Sequence, residues 1–94
     1  MNIVIEHHKD SHQFIYMEGG RTARLDYIVL PDGKTLDYHS TYVPPELRGQ
    51  QIGQTLVKYA LDYAKENHYK IIPSCSFVDA YIKRHPEYNK VLVE

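Results

Sequence analysis

The 94 residues predict an α+β fold in which a mainly antiparallel sheet carries one long and one short helix, on three observations. Four segments rich in β-branched and aromatic residues occupy the first half, with glycine-bearing turns between them. After Pro44 and Pro45 the apolar spacing changes from two to three and four, the signature of an amphipathic helix. A short apolar segment and a second helical stretch then follow, the order expected when helices pack on a sheet.

The four strand segments are Asn2 to Glu6, His12 to Met17, Thr22 to Leu30 and Lys34 to Val43. Gly19 and Gly20 suit a hairpin turn, and Pro31, Asp32 and Gly33 place proline first and glycine third in the next connection. Links this short leave no room for a crossover helix, so the strands are expected to run antiparallel. Ile52, Leu56, Tyr59, Ala60, Tyr63 and Ala64 make the apolar stripe of a long helix, with Gln54, Lys58, Asp62 and Lys65 on its wet side. Asn67 and His68 supply a stop, and Lys70 to Pro73 reads as a short buried strand. Ser76 is placed to cap a second helix in which Phe77, Tyr81 and Ile82 make the apolar contacts and His85–Pro86 ends the run. The tail from Lys90 to Val93 is a candidate last strand.

Composition narrows the class. With 43% hydrophobic residues, 24% charged residues and a net charge of −1, the chain has the make-up of a globular domain. Its scattered lysines and arginines form no basic stripe, which argues against a nucleic-acid partner. A single domain over residues 1–94 is expected, since no linker, repeat or low-complexity tract divides the sequence. The lone Cys75 rules out an internal disulfide and fits a reducing, cytoplasmic setting. Charge and histidine appear early at the N-terminus, so neither a leader nor a membrane span is expected there. His7, His8 and His12 fall on an irregular stretch without a completing cysteine or carboxylate, so no metal site is expected.

The loop between the fourth strand and the long helix carries the functional argument. Pro44 and Pro45 stiffen the approach, and Arg48, Gly49, Gln50, Gln51, Ile52 and Gly53 run into the helix start. First-turn N–H groups lack intrahelical partners and the helix dipole adds positive potential, so an anionic phosphate is a natural ligand. Gly49 and Gly53 would let a diphosphate approach without a Cβ in the way, and Arg48 can add a charged contact. No Lys followed by Ser or Thr succeeds the glycines, so this is not a Walker loop, and it is not the dinucleotide fingerprint either.

The segment from Arg48 to Gly53 resembles the pyrophosphate loop of the GNAT superfamily of acyl-CoA-dependent N-acetyltransferases, with Gln51 where the usual pattern has Gly or Ala. Three stretches are similar to the very small, single-domain GNAT-like branch: Val43 to Gln50, Ile72 to Val78, and Tyr81 to Tyr88. The resemblance implies a truncated GNAT-like acyl-CoA N-acyltransferase fold with acetyl-CoA or coenzyme A as the bound group. It places the pyrophosphate on the amides of Gly49 to Gly53, with Gln50, Gln51, Ile52 and Gln54 in the same turn. The pantetheine arm would run beside Tyr42 and Val43 where the fourth and fifth strands splay, a gap that Pro73, lacking an N–H, helps to open. His85 and Tyr88 would wall the cofactor.

Cys75 reads from the sequence as a small buried hydrophobe, but the resemblance makes it a candidate catalytic residue near the short helix's N-terminus. His39 is a secondary candidate. Relatives commonly carry a histidine at the place of Ser40, and in a strand one step changes the face. Two routes stay open: direct transfer to an amine with Cys75 as proton donor, or covalent transfer through a Cys75 thiolate with His39 or His85 as base. Only Lys9 to Ser11 fill the gap where larger relatives form the acceptor site. Either the acceptor is a protein or other large partner that brings its own walls, or the domain binds coenzyme A without turnover, as a sensor or partner-binding module.

Overall fold

The computed structural model describes residues 3–93. One five-stranded sheet runs in chain order: β1 (Glu6–His8), β2 (Gln13–Glu18), β3 (Arg21–Val29), β4 (Thr35–Tyr42) and β5 (Lys70–Ile72). The first four strands form an antiparallel meander, and β5, reached through the long helix α1 (Ile52–Glu66), lies parallel to β4. A second helix, α2 (Ser76–Arg84), and a 3-10 turn over Pro86–Val91 close the chain.

Each turn follows from its residues. Gly19 and Gly20 both take positive φ, +59° and +76°, matching the twist of the β2–β3 hairpin. Asp32 organises the β3–β4 connection, its carboxylate accepting from the amides of Lys34 at 2.8 Å and Thr35 at 3.0 Å. Alternation along β3 sends Ala23, Leu25 and Tyr27 inward, where they meet Phe14 and Tyr16 of β2 and Leu36 and Tyr38 of β4. Onto this face α1 lays Ile52, Leu56, Val57, Ala60, Leu61 and Ala64. Tyr38 spans the layers, its hydroxyl donating to the Ala60 carbonyl at 2.6 Å. The other face of the sheet leaves Met17, Ile28 and Tyr42 exposed, with no helix over them among the described residues.

Several boundaries move. The first strand is Glu6–His8 instead of Asn2 to Glu6, because the ladder is built where His7 stacks on Phe14 at 4.2 Å; Asn2 lies outside the described residues. In α1 the stripe is completed by Val57 and Leu61, while Tyr59 is 42% exposed. Cys75, not Ser76, occupies the N-cap of α2, and no side chain caps that helix. Phe77 faces away from the core and is 39% exposed; Val78 and Ile82 make the buried contacts. The expected last strand reduces to one bridge, Leu92 to Ile71, because Pro86 starts a 3-10 turn that commits Tyr88 and Val91 to the core.

A β-bulge interrupts β3–β4. Asp26 pairs with Ser40 and Tyr27 with Tyr38, so His39 is the extra residue. Tyr38 and Thr41, three apart, consequently share the inward face with Tyr27 and Leu25.

Candidate functional site

Past the bulge β4 loses its outer neighbour. Pairing with β5 covers only Thr35 to Asp37, and the amide of Cys75 to the Tyr38 carbonyl, 3.0 Å, is the last bond across. From His39 to Tyr42 that edge has no backbone partner among the described residues, as the splay expected at Pro73 requires.

The open edge leads into a groove of about 330 Å³. Thr41, Tyr42 and Val43 form one side, Leu47, Arg48 and Gly49 the approach, Gln51 to Gln54 the helix start, and Phe77 the facing wall. The loop is held rigid. Leu47 is buried at the end of the 3-10 turn Pro45–Leu47, and the Arg48 Nε donates to the Val43 carbonyl at 2.9 Å. Arg48 is therefore a strut for the loop as well as a positive charge beside it. Gly49 takes φ +82° with open space around it. Gln51, the N-cap, takes φ +62°, so it stands in the left-handed conformation that a glycine would adopt without strain.

The helix start is electrostatically bare. No side chain caps α1, no acidic residue lies in its first turn, and the first amide with an intrahelical partner is that of Thr55, to the Gln51 carbonyl. The amides of Ile52, Gly53 and Gln54 face outward with the helix dipole behind them. Glu46, the carboxylate of the approach, is paired with Arg21 at 3.2 Å. Gly53 matters for a reason the sequence did not show. A Cβ there would stand 3.0 and 3.2 Å from the Phe77 ring, so its missing side chain makes room for that ring and not for a ligand.

Cys75 stands behind the groove wall, half-buried, its Sγ 3.5 Å from the Thr41 hydroxyl. Burial works to raise the thiol. Hydrogen bonds available to the thiolate from the Thr41 hydroxyl and from the amides of Val78, Phe77 and Thr41 outweigh it, and the net direction is below an ordinary thiol.

The remaining candidates are placed elsewhere. His39 is exposed on the bulge. Gln50 is not part of the groove wall, and neither are His85 and Tyr88. His85 stacks on Tyr81 at 4.0 Å, with its Nδ1 donating to the Tyr81 carbonyl at 2.9 Å. The whole of α2 separates it from Cys75, about 15 Å of helix, so it cannot serve as that thiol's base. Tyr88 is buried and donates to Asp62 at 2.7 Å, tying the 3-10 turn to α1. Sequence reasoning missed Thr41, Leu47 and Phe77 in the wall, and it missed Asp37. The Asp37 Oδ1 is a buried side-chain oxygen without a hydrogen-bond partner, on the strand register between Ile28 and Ile72, two residues before the bulge. Among the described residues no three histidine, cysteine or acidic side chains gather as a metal site, and no helix is long and apolar enough to cross a membrane.

A bare helix start beside a splayed parallel strand pair defines an acyltransferase-like architecture, and comparison with known proteins assigns the family. Residues 13–91 match the family described as GCN5-related N-acetyl-transferase, and the chain belongs to it. It is similar to the protein NATD1 of Danio rerio, 31% identical across 89% of this chain and 79% of that one. Human NATD1 is 32% identical, with 89% of this chain and 75% of the relative covered. The solution structure of a GCN5-like protein from Staphylococcus aureus superimposes with a TM-score of 0.73 at 30% identity, covering 98% of this chain and 89% of that one.

Proposed function

We propose that this protein binds acetyl-CoA in the groove and transfers the acetyl group to an amine. The observation that carries the reading is the junction of two unsatisfied surfaces: an uncapped helix start with no acidic residue in its first turn, continuous with an unpaired strand edge. The amides of Ile52 to Gln54, with the Arg48 charge beside them, suit a diphosphate, and the free edge of Tyr42–Val43 suits the amide groups of a pantetheine arm. Acetyl-CoA supplies an activated thioester. Cys75, half-buried behind the groove wall with its thiol bonded to Thr41, is the candidate to give a proton to a departing thiolate, a role its hydrogen-bonded thiol supports. Asp37, with one oxygen unpartnered, is the candidate to hold the incoming ammonium and take its proton.

Direct transfer is favoured over a Cys75 acyl intermediate, since no histidine is hydrogen-bonded to the thiol: its side-chain partner is Thr41. Titration calorimetry with acetyl-CoA and coenzyme A tests binding, and absence of heat for both sinks the proposal. Intact mass after incubation with acetyl-CoA tests the route: an adduct lost in Cys75→Ala would establish the covalent path. Release of free thiol with a panel of amines and lysine peptides tests turnover. Binding without release would favour the coenzyme A sensor, the reading suggested by the uncovered sheet face.

A further inference from the structure

At the far end of α1 a second cleft, of about 180 Å³, opens between the first turn of the chain and the end of the helix. Its walls are two stacked aromatic pairs together with Val29 and Leu36. His12 and Tyr27 lie with centroids 5.1 Å apart and planes at 27°, and Tyr63 and Tyr69 lie 5.8 Å apart at 22°. His7 braces the two, hydrogen-bonded to the Tyr27 hydroxyl at 2.8 Å and set edge-on to Tyr63 at 4.4 Å. Burial, then the charges of Lys9, His8 and His12, hold His7 below its ordinary value, the direction that favours the neutral ring. Among the described residues no carboxylate lines the cleft. Lys9 enters it, its ammonium 5.9 Å from the Tyr63 ring centroid, and among the described residues Lys9 forms no ion pair.

We infer that this cleft is a cation site for an alkylammonium group, with Lys9 as its occupant in the free chain. Aromatic faces attract a cation through the ring quadrupole, and the attraction grows as the cation is desolvated between several rings. The walls are preorganised by stacking and by the His7 bond, so little ordering is required on binding. Lys9 reaches one ring near the outer limit of such contacts and is easily displaced. The volume equals about six waters at about 30 Å³ each, enough for a trimethylammonium head or the end of a lysine side chain. Tyr63 lies eleven residues beyond Ile52, about 16 Å along the helix, so the site is separate from the groove and does not depend on acetyl transfer.

The test is a two-dimensional NMR titration with choline, with its uncharged isostere 3,3-dimethylbutanol, and with Nα-acetyl-lysine amide. The expected result is a saturable shift at His12, Tyr63 and Tyr69 with one or both cations, none at Gly49 or Gly53, and none with the neutral isostere. Lys9→Ala should tighten binding by about threefold or more, since the competing cation is gone. Tyr63→Leu should abolish it, with Tyr69→Leu as second variant should the first perturb the whole spectrum. Tighter binding of the lysine amide identifies a protein side chain as the source, and tighter binding of choline a small quaternary amine. Saturation by neither cation in wild type or Lys9→Ala, or equal binding of the isostere, overturns the inference.

Discussion

Gln51 holds a position at which the backbone asks for glycine. The left-handed conformation costs a residue with a Cβ about 1–2 kcal/mol, while glycine gives back about 0.5–1 kcal/mol in unfolded-chain entropy. Gln51→Gly is therefore expected to stabilise the fold by about 0.5–1 kcal/mol, read from the urea midpoint at unchanged m-value. Gly53 behaves differently, because its constraint is the Phe77 ring. In Gly53→Ala the ring must give by a few tenths of an ångström into the groove, and the proposed affinity for coenzyme A is expected to fall while stability changes by less than about 1 kcal/mol. Because Phe77 is also the facing wall, Phe77→Ala should weaken binding by itself, but Gly53→Ala should cost less affinity in that background than alone, a coupling that calorimetry on the two single variants and the double variant would reveal. For Cys75 the direction of the thiol sets a third outcome. Its alkylation by iodoacetamide should show an inflection below that of an ordinary thiol, and Thr41→Val should move it upward; an unmoved profile would show that Thr41 does not hold the thiolate.

At the scale of elements, β1 is an edge strand, three residues long and pinned by His7. A histidine depressed in the folded state contributes stability that is full above its unfolded value of about 6.5 and is lost as pH falls below it, since protonation then favours the unfolded form. The protection of amides in β1 and its β2 partners against hydrogen exchange, taken relative to the pH-dependent intrinsic rate, is thus expected to fall between pH 7 and pH 5 ahead of that in β3 and β4. His7→Phe, which keeps the stack without the titrating ring, should flatten that dependence. The long helix rests on firmer ground. Tyr38→Phe removes only the bond to the Ala60 carbonyl and should cost about 1 kcal/mol in thermal or urea unfolding, with secondary structure retained.

Across the whole molecule, what was legible in the sequence is what local chemistry decides. The hairpin at Gly19–Gly20, the Asp32 turn, the helix starting at Ile52 and the stop at Asn67–His68 all follow from backbone preferences of a few adjacent residues. The groove was legible for the same reason, since a loop of Arg48 to Gly53 before an uncapped helix advertises its amides. What escaped depends on distant partners. Phe77 reads as core in its helix, yet it leans on Gly53 from outside. Tyr88 and His85 look like site residues in a stretch that resembles the family, yet one is tied to Asp62 and the other to Tyr81. The burial of the Asp37 side chain between Ile28 and Ile72 and the extra residue at His39 are properties of pairing, invisible in a single strand.

That extra residue works on β4 as an inserted letter works on a reading frame. Upstream of His39 one parity of positions looks inward, and downstream the other does, which is how Thr41 and Val43 come to line the groove after Tyr38 has filled the core. Deleting His39 would set Ser40 directly after Tyr38, so Thr41 and Val43 would still look inward and the Cys75 thiol would keep its hydroxyl neighbour, while the bend that the extra residue puts into the strand beside the groove would be lost.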